Sequence, residues 1–406
     1  VSASPEPTTT GHRKPPVPLK VCFVFMTLAA LIAVAVVVQS AMRSQRTTSD
    51  GYLVHAAIDG CGSGWAHPHS GLQRLSFRNT STVGMEVYLQ RLADKAVFVD
   101  VENIGAGATA SAQPTIAAGR YRFVCLPADA DPLYGPAVRV TGARHVAGST
   151  PGVAPVTRND LIPAAKAYEG WVEGRLPTLL DDVRGLDTAV ESGDRAGAER
   201  AWLAGHTEYE TLGAAYGAFG DADTAIDGMA ASSHTAFDDP DLTGFHKIEA
   251  LLYADAPLSS VAPYTRRLAS DVASLEAGFP DARVDPLDIG LRAHEILENA
   301  LQFELTGATD AGSHSSLATV DANLTGTIEA LKPLRGILAT RYSLAKTDAW
   351  IARSRQLVES FRSSDGTWTS LASLDRAQRE KLDATISETV ELPAHVAAVC
   401  DVRRAA

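Results

Sequence analysis

At 406 residues the chain is too long for one ordinary hydrophobic core, which sets an expectation of two folded domains. Its 45% hydrophobic and 21% charged residues are those of a globular protein. A formal net charge of −12 argues against a nucleic-acid binder, which needs Lys and Arg to neutralise phosphates, and suits an acidic surface that attracts cations.

Residues 1–18 are rich in Pro, Thr and Ser, with a basic cluster at His12, Arg13 and Lys14. An apolar run follows over 19–39, uncharged from Val21 to Val38 and long enough to span a bilayer as a helix. Arg13, Lys14 and Lys20 precede it and Arg43 and Arg46 follow it, which favours a cytoplasmic tail over 1–18 and a signal anchor over 19–39. Small residues at Ser40 and Ala41 also fit a cleaved signal peptide. Both readings predict a cell-envelope protein, membrane-anchored or secreted, with residues 50–406 outside the cytoplasm, where disulfides persist.

Short β-prone segments fill 52–142: Val54 to Ile58, Leu75 to Arg78, Met85 to Leu89, Ala96 to Val99 and Tyr121 to Cys125, with Gly, Asn, Pro and Ser between them. About seven such strands predict a small antiparallel sandwich. The Gly/Pro/Ser-rich stretch 143–157 reads as a linker. From 158 to 402 the period becomes helical, as in Leu179, Val183, Leu186 and Val190 or Leu324, Ile328, Leu331 and Leu338. Gly193 closes one segment and Asp194 caps the next, and Asp288 to Leu305 runs into a C-cap at Thr306 and Gly307. Seven or eight helices are expected, hence an all-α bundle or two bundles side by side. Four cysteines (Cys22, Cys61, Cys125, Cys400) show no C-x-x-C spacing, so no zinc ribbon or thioredoxin motif is present.

The sharpest local feature is Gly244-Phe245-His246-Lys247-Ile248-Glu249. On a helix His246 and Glu249 stand at i and i+3, on one face, and can offer an imidazole and a carboxylate to one cation. The second histidine of H-E-x-x-H is missing, so this is not a zincin site. Alone, the pattern is a frequent chance occurrence and a surface ion pair is the better reading. Two further segments strengthen it. His294 and Glu298 share a face at i, i+4, with Glu295 beside them, and charged groups within an apolar helix are costly unless paired. His206, Glu208 and Glu210 form a third set. Of these two segments, one is expected to contribute. Carboxylate-rich sites with one or two histidines suit ferric or ferrous iron rather than cuprous copper.

These residues also carry a resemblance. Thr243 to Glu249 resembles the GxHxxE signature of the imelysin-like family. The segment Asp288 to Thr306, the stretch Gly312-Ser313-His314 with Leu317 to Leu324, and Phe219 to Asp223 resemble further blocks of EfeO-type iron-uptake proteins, in order, over about 155–400. Gly60-Cys61, Val99 to Ile104 and Gly119 to Cys125 are similar to the cupredoxin-like front domain of that type. The resemblance implies a cupredoxin-like sandwich over 52–142, an imelysin-like bundle over 158–402, and an extracytoplasmic iron-binding component that works with a membrane permease and a haem peroxidase. On this reading His246, Glu249, Glu298, His294 and Glu210 hold iron, and no catalysis is expected. Where the family type has an acid, this chain has Gly213, and Glu86-Val87-Tyr88 replaces an expected E-x-E, which weakens secondary sites.

In the front domain no His or Met follows Cys125, which disfavours type-1 copper. Cys61 and Cys125 either form a disulfide or one of them joins Glu86 and Glu102 on a second metal. Two other function classes stay open: a metal-dependent peptidase of imelysin type and a structural envelope protein.

Overall fold

A computed structural model describes residues 51–128 and 130–402. The tail 1–18, the apolar run 19–39 and Cys22 lie outside the described residues. Among the described residues no helix is long and apolar enough to cross a membrane. The described chain forms two compact units, one ending at Pro151 and the other running on from Gly152, with residues 94–97 grouped with the second.

The first unit is a pair of sheets. One has the order β2 (Gly60–Ser63), β1 (Tyr52–Ala57), β4 (Leu75–Asn79), β7 (Thr109–Ala112). The other has the order β10 (Leu133–Tyr134), β9 (Gly119–Pro127), β5 (Met85–Arg91), β6 (Val97–Ile104), with β11 (Val138–Val140) also on β9. A small third pair joins β3 (Gly71–Leu72) to β8 (Thr115–Ile116). The five predicted segments fall on β1, β4, β5, β6 and β9; the additional strands include three of only two residues, too short to leave a period-2 pattern.

Alternate residues of each sheet point inward, so Val54, Ala56, Leu75 and Phe77 share a core with Val87, Leu89, Phe123 and Cys125. The sandwich is not purely antiparallel as expected: β1 and β4 pair in parallel, from Tyr52 with Leu75 to Ala56 with Asn79. The excursion through 64–74 returns the chain beside β1 in the same direction. Cys61 on β2 and Cys125 on β9 form a disulfide, Cα atoms 5.7 Å apart, which links one sheet to the other. The alternative in which one thiolate joins Glu86 and Glu102 on a metal is thereby closed. Glu86, Asp100 and Glu102 do lie near one another, partly exposed.

The second unit is helical. Helix α1 (Arg158–Glu191) starts in a capping box between Thr157 and Asp160 and buries Leu161, Tyr168, Val172, Leu176, Leu179, Val183, Leu186 and Val190 along one stripe. Ser192 and the left-handed Gly193 (φ 82°) end it, and Asp194 caps α2 (Arg195–Glu210) through the Gly197 amide. There follow α3 (Asp221–Asp227), α4 (Gly244–Tyr253), α5 (Leu258–Gly278), α6 (Ile289–Asn299), α7 (Ser316–Leu331), α8 (Ala345–Glu359) and α9 (Arg376–Cys400). Helix α1 packs on α2 and α5, while α6 packs on α9 and α7, and α2 touches both α4 and α7. Beyond Asn299, α6 widens into a π-helical turn, Ala300–Glu304, before Gly307 (φ 75°) stops it.

Candidate metal centre

Two close approaches bring the site together. Gly244 opens α4 at φ 73°, and a Cβ there would lie 2.0 Å from the carbonyl oxygen of Ile226. Only glycine lets the start of α4 press against the end of α3, which sets His246 beside Asp227. The indole N–H of Trp202 on α2 donates to the Phe245 carbonyl at 2.9 Å, which fixes α2 against the same turn. Trp202 then stacks on His206, centroids 5.0 Å apart, and Phe245 flanks the ring from another side.

His206, Asp227 and His246 each offer one ligand atom, all within 4.8 Å of one another. Asp227 Oδ1 lies 3.5 Å from His206 Nε2 and 3.7 Å from His246 Nε2. Glu210, one turn after His206, adds an oxygen 3.4 Å from the same Nε2. Ligands about 2.1 Å from a shared ion stand roughly 3.0–3.4 Å apart in octahedral or tetrahedral geometry, so these spacings are close to those of a coordination shell. Both ring nitrogens of His206, Asp227 Oδ1 and His246 Nδ1 are buried without a hydrogen-bond partner. Buried polar atoms are rarely left so unless something else binds them.

Glu304 completes the acidic wall. The π turn delivers it to the cavity of about 200 Å³ that Glu210, Asp227, His246 and Asn323 also line. Burial, reinforced by the Glu210 charge, pushes its pKa up to about 8. Burial opposes charge on His206, yet the carboxylates of Asp227 and Glu210 outweigh it and hold its pKa well above the usual value. His246 is raised in the same way, burial being overcome by Asp227 and then Glu249. Asp227 is lowered, because His246 and His206 overcome its burial. Among the described residues, none of Glu210, Asp227, Glu249 and Glu304 pairs with a Lys or Arg.

Around this centre stand residues that aim it. Asn323 on α7 donates to Glu210 Oε2 at 2.7 Å. Glu249 accepts from the Ser313 amide and hydroxyl at 2.9 and 2.5 Å through Oε1, while Oε2 faces His246 Nδ1 at 3.6 Å. The carboxylate thus stands behind the imidazole, on the side away from Asp227, as an orienting partner does. Buried Lys247 donates to the carbonyls of Phe237 and Asp239 at 2.7 and 2.8 Å and ties down the loop that precedes α4.

Of the residues singled out in the sequence, His246, Glu249, His206 and Glu210 come together. His294 and Glu298 do not join them. The face of α6 that lines the cavity carries Arg292, Glu295 and Asn299, whereas His294 Nδ1 lies 3.1 Å from the Val390 carbonyl of α9. Glu298, 3.7 Å from His294 Nε2, accepts from Gln302. Glu208 faces away from His206 and makes a bidentate pair with Arg175. Sequence reasoning missed Asp227 and Glu304, which sit at the ends of elements and share no helical spacing with His246. At Gly213 a Cβ would meet Ile296 of α6 at 2.9 Å, so the acid expected there is replaced by a tight helix contact.

Residues 164–396 match the sequence model of the imelysin family, also described as peptidase M75. The chain belongs to the imelysin family. Its imelysin region contains every residue of the centre. Similar proteins include one from Escherichia coli strain K12 named iron uptake system component EfeO, 27% identical over 217 residues, which are 52% of this chain and 58% of that protein. A protein of the same name from Shigella flexneri aligns to the same extent. Another, from Escherichia coli O1:K1, is 26% identical over 230 residues, 56% of this chain and 61% of its own length. This imelysin thus spans less than two thirds of the length of these relatives.

Proposed function

We propose that the chain captures iron at His206, Asp227 and His246, with Glu210 and Glu304 supplying further carboxylate oxygens, and serves an iron-uptake system. The observation that carries this reading is a buried cluster of acids and imidazoles with partnerless atoms and, among the described residues, no Lys or Arg paired to it. Without a metal the carboxylates favour protons on the two imidazoles, and a bound cation would take the place of those protons as counter-charge. Two imidazoles and one carboxylate on adjoining elements are a donor set suited to ferrous iron, and added carboxylates favour ferric. The names of the relatives also support iron uptake, and they favour binding over the hydrolysis in the family's description.

On this reading Glu249 positions His246, and His294 and Glu298 belong to the α6–α9 contact. The rest follows the resemblance: a cupredoxin-like front domain over 52–142, an extracytoplasmic location supported by the Cys61–Cys125 disulfide, anchoring through 19–39, and delivery to a membrane permease beside a haem peroxidase. The test is titration of the full chain with ferrous iron under anaerobic conditions and with chelated ferric iron. His206→Ala, Asp227→Asn and His246→Ala should each abolish the tight site, while Glu249→Gln should weaken it ~10–100-fold. Unchanged stoichiometry and affinity in all three of the first group would refute the assignment.

A further inference from the structure

A second, larger cavity of about 950 Å³ opens beside the centre, and His246 is part of its wall. Two loops, residues 229–237 and 306–314, supply most of its lining, and each contributes a solvent-exposed histidine, His234 and His314. Each is four residues from an aspartate: His234 Nδ1 stands 3.9 Å from Asp238, and His314 Nδ1 stands 3.0 Å from Asp310 Oδ2.

His314 is the better defined of the two. Its backbone is left-handed, φ 57°, a conformation that histidine adopts more readily than most residues other than glycine. The other oxygen of Asp310 accepts from the Gly312 and His314 amides at 2.9 and 3.1 Å, which by itself closes the loop. The contact from Oδ2 to the ring is additional. With Nδ1–H donating to that carboxylate, Nε2 is left with its lone pair free, the tautomer that binds a metal. The side chain is 66% exposed, so solvent reaches it. Its neighbour Ser313 holds Glu249, the carboxylate that faces His246. One short segment therefore carries an exposed imidazole on the cavity wall and a tie, through Glu249, to the inner histidine.

We propose that His314, with His234 of the same cavity, is an outer relay station that takes a first-row transition-metal cation from solution and hands it to His246. The inference rests on the metal-binding reading above. A station of this kind changes how fast the ion arrives and leaves without changing how tightly the inner centre holds it.

The test follows association of cobalt(II), an air-stable probe of the same donors, with the full chain by stopped-flow tryptophan fluorescence. Trp202 stacked on His206 provides the reporter. His314→Asn is the informative variant, because asparagine tolerates a left-handed backbone while removing the imidazole. His314→Asn and Asp310→Asn, alone and with His234→Ala, should slow association and chelator-driven release together, by about tenfold for His314→Asn with His234→Ala, at unchanged equilibrium affinity. An unchanged association rate in the variant lacking both imidazoles overturns the proposal. So does a loss of affinity with an unchanged association rate, which would make these rings ligands of the inner centre. If the wild-type chain binds no cobalt, or His246→Ala binds it like the wild type, the metal-binding reading itself fails and the relay falls with it. A circular-dichroism melt matching the wild type keeps the variants comparable.

Discussion

The two units differ in that only the helical one, among the described residues, gathers several partnerless titratable side chains in one place. In the sandwich, the buried side chain of Asn79 is satisfied within the fold: its amide donates to the carbonyls of Val83 and Ile104 at 2.8 Å each, and its oxygen accepts from Ser81. In the same unit Trp65, Phe77, Tyr121 and Phe123 pack edge to face, and a covalent bond joins the sheets. The helical unit also has an apolar core, yet at its centre it keeps two imidazoles and the Asp227 carboxylate with partnerless atoms. A polar group buried and satisfied serves the fold. Several titratable groups buried together and left unsatisfied cost stability, and a ligand that bound them would offset that cost.

The largest test of this contrast removes the covalent bond. Replacing Cys61 and Cys125 together by Ser opens a link spanning 64 residues of sequence, which should cost the sandwich about 4 kcal/mol by denaturant unfolding, yet leave iron affinity intact. A matching loss of iron binding would show that the two units do not divide fold and function in this way. The converse test adds the ligand. Iron at a hundredfold excess over its dissociation constant should stabilise the helical unit by about 2.7 kcal/mol in a thermal melt, and should leave His246→Ala unmoved. Gly244→Ala should destabilise the same unit by roughly 1–3 kcal/mol from its φ alone, with more from the Ile226 clash, and should lose iron as Asp227 and His246 separate.

The smallest effect is a slope with pH. Glu304 has its folded pKa raised to about 8, above the unfolded value, so the folded state retains a proton that the unfolded state has released. Metal-free protein should therefore lose stability as pH rises from the ordinary carboxylate range towards 8, and Glu304→Gln should flatten that stretch of the curve. Iron binding should release protons for the same reason, measurable by calorimetry in buffers of different ionisation enthalpy.

Much of the fold was legible because periodicity and punctuation are local properties. The stripe of α1, the Gly193-Asp194 break and the Cys125 strand all appear where the residues place them. The centre was legible only in part. Spacing tells which side chains share a helix face but not which way that face turns, so His294 with Glu298 looked as good as His206 with Glu210. Packing of α6 on α9 directed the first pair to Val390, and Trp202 directed the second inward. Asp227 reaches the centre through the close approach of Gly244 to Ile226. A contact between separate elements leaves no spacing to read.

The π turn over Ala300–Glu304 makes the centre sensitive to chain length as well as to side-chain identity. Such a turn holds one residue more than a regular helix accommodates. Deleting a single residue within it would let the helix close to its ordinary pitch and swing Glu304 round the axis by about 100°. Glu304 would then leave the acidic wall with every other ligand untouched. If Glu304 supplies an oxygen to the ion as proposed, the strength of the site is adjustable by counting residues rather than by exchanging them.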